Sequence, residues 1–272
     1  MKYNNYIELF DSPAQMCRTI GNRPLNEQFF SRKDHLASEK NSKEITGTES
    51  YKDATDLLLN GDTENLKIME SVKLPKSIGN SVHKKAFEAS VCGCSANVPA
   101  FISGQPKSMF ALKRKPSNLR TLNLIINNNP SFEITVNQLA ESGAKVAGLV
   151  SSLENKGIRV NLHVGTCAEK KGQKIFLFTR IKRAEAPLNK LALAYPIINA
   201  SFVRRHYFKW LETLPVTIRT EYTYSYGIPK TISRKDKEIT EKFGKECVCI
   251  NLLELINGDI SINRIINDIT ND

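Results

Sequence analysis

Leu119-Arg120-Thr121-Leu122-Asn123-Leu124-Ile125-Ile126 is a short apolar run that stops at the polar triplet Asn127-Asn128-Asn129 and at Pro130. It reads as a buried strand meeting a loop. From about Thr135, the apolar or small positions Val136, Leu139, Gly143, Val146, Val150 and Leu153 recur at steps of three and four, which is one continuous helical face. Gly157 ends that helix. Ile158-Arg159-Val160-Asn161-Leu162-His163-Val164 then alternates with Val160, Leu162 and Val164 on one side, as a strand does. Strand, helix and strand in this order predict a right-handed parallel βαβ unit.

Downstream, a charged turn at Glu169-Lys170-Lys171-Gly172 leads to the apolar run Lys174 to Ile181, which suits a hairpin partner for the preceding strand. Helices follow at about Leu188 to Ala194 and Asn199 to Glu212, separated by Pro196 and stopped before Pro215, placed to cover one sheet face. Thr220 to Tyr226 alternates tyrosines with polar residues, Asp236 to Phe243 reads as a helix, Cys247 to Leu252 as a further buried strand, and Ile260 to Ile269 as a closing helix. Upstream, residues 76–118 are broken by Gly79, Gly93, Pro99, Gly104, Pro106 and Pro116 and carry Lys113-Arg114-Lys115, which suggests a connector or lid. Residues 1–75 are polar and weakly patterned, and so peripheral. Within them Thr48 to Gly61 reads as a short packing helix, capped near Ser50 and stopped by Gly61. The expected fold is α/β, a mixed, mostly parallel sheet flanked by helices over 119–272, with a mainly helical or irregular extension and connector over 1–118.

The 272 residues include 39 basic and 28 acidic side chains, a formal net charge of +11, and 40% are apolar. That is enough to build a core without disulfides or metals. The six cysteines include two C-x-C pairs, Cys92/Cys94 and Cys247/Cys249, a spacing that fits neither a redox loop nor a zinc knuckle, so free thiols are expected. No window approaches the roughly 20 apolar residues of a bilayer span, and no apolar signal core follows Met1. The expectation is a soluble intracellular protein with no membrane partner.

Several segments carry a resemblance. Gly47-Thr48-Glu49-Ser50-Tyr51 with Leu57-Leu58-Leu59-Asn60-Gly61, Val98-Pro99-Ala100-Phe101-Ile102-Ser103-Gly104-Gln105-Pro106-Lys107-Ser108-Met109, the Gly143 helix ending Leu153-Glu154-Asn155-Lys156-Gly157, and Phe202-Val203-Arg204-Arg205-His206-Tyr207-Phe208 follow one another in a set order. In that order they resemble an uncharacterised family of tailed-phage proteins whose core looks like a divergent von Willebrand factor A domain. The resemblance implies a phage origin, a von Willebrand A-like core, and a place in the virion or the host cytoplasm, but no activity. Domains of that type commonly hold a divalent cation with Asp-x-Ser-x-Ser after the first strand. Here Asn127, Asn128, Asn129, Pro130 and Ser131 stand in that place, so the leading carboxylate is missing. Magnesium usually requires one, which leaves Asn127, Asn129 and Ser131 as weak candidates beside the plainer reading of a polar turn. No metal or other cofactor is expected.

From Lys170 to Lys209 stand ten Lys or Arg residues against the single acid Glu185. Such a surface rewards phosphate binding by counterion release, and aromatic rings beside it could stack on bases. Lys182, Arg183, Arg204, Arg205, Tyr207 and Trp210 are therefore the candidate nucleic-acid or partner-binding residues, although the aromatics equally suit a core. Residues 134–181 also imitate a winged helix-turn-helix, with a break at Ser142-Gly143 and a wing at Lys170-Lys171-Gly172, against which the helical face runs on through Gly143 without losing phase. Support for chemistry is thinner. His163 and Cys167 lack an obvious third member, His83 with Cys92 and Cys94 gives three zinc ligands where structural sites have four, and no P-loop, dinucleotide fingerprint or H-E-x-x-H helix occurs. The expected function is non-enzymatic binding of another macromolecule, a phage or host protein, with nucleic acid as the alternative partner.

Overall fold

The computed structural model of the protein describes residues 4–24, 43–72, 87–112, 120–128, 134–215, 217–218 and 226–271. Along the chain come β1 (Tyr6–Phe10), α1 (Pro13–Asn22), the helical turn α2 (Lys43–Thr46), α3 (Tyr51–Asn60), α4 (Thr63–Ser71), β2 (Phe87–Ser90), β3 (Ser95–Ala96), α5 (Val98–Ile102), β4 (Met109–Leu112) and β5 (Thr121–Asn127). Then follow α6 (Val136–Asn155), β6 (Arg159–Lys170), β7 (Gln173–Lys182), α7 (Lys190–Ile198), a π-helical segment (Phe202–Tyr207) running into α8 (Phe208–Thr213), β8 (Ile228–Pro229), α9 (Lys237–Phe243), β9 (Val248–Asn251), α10 (Leu252–Asn257) and α11 (Ile262–Asn271).

Local sequence sets the central unit. Thr135 Oγ1 accepts from Gln138 N at 3.4 Å while the Gln138 side chain accepts from Thr135 N at 3.0 Å, a reciprocal cap that starts α6. The helix runs unbroken for 20 residues and buries Leu139, Gly143, Val146, Val150 and Leu153. Glycine in mid-helix costs about 1 kcal/mol against alanine. Here it lets α4 approach, since a Cβ at Gly143 would sit 3.0 Å from Met69 Sδ. An uninterrupted α6 excludes the winged helix-turn-helix reading, which needs a turn at Ser142-Gly143. β5 pairs in parallel with β6, Thr121 opposite Arg159 through Asn127 opposite Gly165. β6 and β7 form a hairpin through Lys171 (φ 47°) and Gly172 (φ 82°), two residues with positive φ, as a type I′ turn requires.

The sheet order is β1-β7-β6-β5-β9, with β8 pairing antiparallel on β6. Along that path only β6–β7 is antiparallel. The fold is thus α/β, with a mixed, mostly parallel sheet flanked by helices. Leu122, Leu124, Ile126, Val160, Leu162 and Val164 point into the larger core, with α6, α7 and the N-terminal helices. Ile125, Phe176 and Phe178 point to the opposite face, under Ile239 and Phe243 of α9.

Three expectations change. The N-terminal stretch, read as peripheral, supplies the edge strand β1 to the central sheet, and Met16 and Ile20 of α1 are fully buried. Its polar residues find partners at long range: Glu8 takes two hydrogen bonds from Arg23 and one from Trp210 Nε1. Within 76–118, the described residues hold an antiparallel sheet of order β2-β4-β3 rather than a bare loop. There Pro99 starts α5 instead of breaking structure, because the first turn of a helix needs no N–H at that position. Pro196 sits inside α7 instead of dividing two helices. An interior proline costs about 3 kcal/mol or more, but burial of Leu193, Tyr195, Ile197 and Ile198 offsets it at about 1.5–3 kcal/mol for each large apolar side chain. The basic run at 113–115, the tyrosine alternation at 220–225 and His83 lie outside the described residues.

Candidate functional site

Where β5 hands over to α6, at the carboxyl end of the parallel strands, an open cleft of about 920 Å³ lies between α3, α4, the start of α6 and the π-helical segment. Open α/β sheets take their ligands at this end. Each wall has a local cause. Gly47 has φ +83°, and a Cβ there would fall 2.5 Å from Asn199 Oδ1, so only glycine lets the loop before α3 close against the end of α7. Ser50 caps α3 by accepting from Asp53 N at 3.1 Å and donates to Asp53 Oδ2 at 2.7 Å. Asp62 caps α4 and is buried. It accepts from Asn65 N at 3.0 Å, Asn65 Nδ2 at 2.7 Å and Asn199 Nδ2 at 3.1 Å. Asn199 Oδ1 in turn accepts from Ser201, whose hydroxyl meets Tyr195 Oη at 2.8 Å.

Behind the wall, Arg205 is fully buried and its Nη2 donates to Thr46 Oγ1 (3.0 Å), Thr48 O (2.9 Å) and Glu49 O (3.2 Å), which pins the loop carrying Glu49. The π turn is visible in the bond from Phe208 N to Val203 O, five residues back. π segments are rare and frequent at functional sites. This one turns Arg205 and His206 inward while Val203 and Arg204 line the cleft. His206 Nε2 lies 3.3 Å from Ala54 O, and burial pushes its pKa down to about 4.

The cleft floor is apolar: Leu57, Ile134, Val136, Leu139 and Val203. Val136, the first member of the helical stripe, is 48% exposed and belongs to this floor rather than to the core. Among the described residues, five carboxylates line the cleft against the two cations Lys43 and Arg204. Asp53 and Asp62 serve as described. Glu49, Asp56 and Glu64 are exposed, and their side chains make no ion pair or hydrogen bond among the described residues.

The residues singled out from the sequence do not form one surface. Trp210 is fully buried and gives its indole N–H to Glu8 at 2.7 Å, and Tyr207 is buried beside it with rings 5.5 Å apart, so neither can stack on a base. Lys182 is buried, with Nζ 2.5 Å from Glu154 and 3.0 Å from Val160 O. Arg205 is buried as above, Arg204 is half-buried in the cleft, and Arg183 alone is exposed. Lys174 and Arg180 pair with Asp236 and Asp11 at 2.6 and 3.2 Å. A run of like charge in sequence is thus divided between core and surface by the fold.

Asn127 closes a network instead of awaiting a cation. Its Nδ2 donates to Lys230 O (2.8 Å) and Asn251 Oδ1 (2.9 Å), and its Oδ1 accepts from Cys167 N (3.1 Å). Asn129 and Ser131 lie outside the described residues. Among the described residues no group of three or more His, Cys, Asp or Glu is placed to hold a metal ion. The His163 ring packs on Phe243 at 4.9 Å, and burial with Arg180 nearby lowers its pKa to about 4. Cys167 is a buried thiol whose pKa burial pushes up. All six cysteines are free. No helix among the described residues is long and apolar enough to cross a membrane.

The model of a family described as a domain of unknown function, DUF7192, matches residues 1–254. The chain belongs to the DUF7192 family. The matched stretch contains every element of the cleft and stops within α10, so only the end of α10 and α11 lie beyond it in this DUF7192 protein. No curated protein and no solved structure matches the chain. Sequence reasoning missed the cleft because its acids are scattered over one capped helix and the start of the next. The available signal was that Gly47–Gly61 and Phe202–Phe208, quoted together above, meet there.

Proposed function

We propose that this DUF7192 protein is a non-enzymatic protein that binds another macromolecule, a phage or host protein, and does so through the cleft at the β5–α6 junction. The observation that carries this reading is a part-exposed apolar floor beside Glu49, Asp56 and Glu64, whose side chains make no ion pair or hydrogen bond among the described residues, while the buried polar groups around it hold the walls. A rigid floor with a polar rim is the usual anatomy of a recognition surface. The von Willebrand A-like reading of the core agrees with a ligand at this end of the sheet, and a role in the virion or early in the infected cell follows from the tailed-phage resemblance. Nucleic acid is the weaker partner, since Lys182, Arg205, Tyr207 and Trp210 are withdrawn from the surface.

The test is a photo-crosslinking side chain at Val136, with the exposed Lys237 of α9 as the control site, in infected cells. Protein adducts from position 136 and none from position 237 are expected. Their absence overturns the reading. Fluorescence anisotropy with labelled single- and double-stranded oligonucleotides at several salt concentrations runs beside it. Tight binding that falls steeply with salt overturns the reading in favour of nucleic acid.

A further inference from the structure

We infer that the occupant of the cleft is a basic, amphipathic protein segment, one that sets apolar side chains on the Leu57–Val136–Val203 floor and Lys or Arg against the Glu49, Asp56 and Glu64 rim. The inference rests on the proposed use of the cleft as a macromolecule-binding site. Its ground is charge complementarity. The chain as a whole carries a formal charge of +11, yet among the described residues the cleft is lined by five carboxylates and two cations. A local negative field on a positive molecule repels acidic partners from this place and draws cationic ones to it, while the positive remainder turns cations away. Three of the carboxylates have no internal partner among the described residues, and Ser50, Asn65 and Asn199 already satisfy Asp53 and Asp62. The apolar floor adds the second requirement. Val136 is 48% exposed at the first position of α6, and Leu57 and Val203 are half-buried around it. A bare polycation leaves that floor wet, whereas a helix or strand with apolar residues on one side and Lys or Arg flanking them covers floor and rim together.

A randomised 12-residue peptide display library, selected on the full chain, tests this. Three proteins are compared: the wild type, the charge-reversed Glu49→Lys/Asp56→Lys variant, and Val136→Trp, which fills the floor. All changed side chains are exposed, and matched thermal melts check the fold. Wild-type selection is expected to raise Lys and Arg at least about twofold over the input, with apolar residues between them. Binding of the selected peptides should fall about tenfold or more in the charge-reversed protein and in Val136→Trp, and weaken with salt. Peptides that need the open floor but show no basic bias overturn the inference and leave the cleft as a binding site. No selection that depends on either variant, together with no adduct from position 136, overturns both. Concentration-dependent dimers in sedimentation, lost on charge reversal, overturn the inference in favour of a second copy of the chain.

Discussion

Arg204 and Arg205 are adjacent in sequence, equal in charge and opposite in role, so truncating each separately tests the reasoning about the π-helical segment. Arg205→Ala removes the donor to Thr46 Oγ1 and Thr48 O, both on buried residues, and to Glu49 O. Thr48 O keeps the Thr46 hydroxyl at 2.7 Å, but Thr46 Oγ1 loses the guanidinium donor at a cost of about 1–3 kcal/mol, and the missing stem leaves a void. Against this stands the relief of a desolvated guanidinium, so the net loss is about 3 kcal/mol. For a chain of this size each kcal/mol moves Tm by about 2–4 °C, which gives a fall of about 6–12 °C. Arg204→Ala, half-buried in the cleft wall, should cost under about 1 kcal/mol. Arg205→Lys should recover only part of the loss, because an ammonium does not reproduce the guanidinium fork. Urea unfolding followed by circular dichroism measures all three. Equal losses at the two positions, or a stable Arg205→Ala, would refute the assignment of Arg205 to the loop.

Three further outcomes are expected. His163 and His206 have folded-state pKa values near 4 against 6.5 when unfolded, so the unfolded chain takes up more protons in acid. Their contribution is full above about pH 6.5 and is lost as pH falls toward 4, about 3 kcal/mol for each ring; denaturant titrations at several pH values should show this, and a flat profile would sink it. Asn127→Asp replaces a donor to Lys230 O and Asn251 Oδ1 with a carboxylate, so melting should fall by several degrees with no rescue by magnesium, whereas a magnesium-dependent recovery would restore the cation-site reading. Gly143→Ala should be close to neutral, since helix propensity gains about what the flexible Met69 side chain must yield, while Gly143→Val should lose about 2 kcal/mol or more in the same melts.

The central unit was legible because its signals are local. A period of three to four across Val136–Leu153 and alternation over Ile158–Val164 are short-range facts that backbone geometry enforces wherever the helix and strands pack. Caps at Ser50 and stops at Gly61 and Gly157 are of the same kind. What failed were readings that treated exposure as a property of residue type. Trp210 and Lys182 are of types often found at binding surfaces, yet one gives its N–H to Glu8, 202 residues away, and the other reaches Glu154 at the end of α6.

The sequence by itself determined the α/β class, the free thiols, the positive balance and the order of the main strands and helices, because composition and periodicity act within a few residues. Only the tertiary structure decided that residues 6–10 join the sheet and that Asn127 is spent on Asn251 and Lys230. It alone also drew Glu49, Asp56 and Glu64 together with Val136 and Val203 around one cleft. Burial and proximity depend on which distant segments meet, and long-range pairing energies, not local propensity, choose those partners.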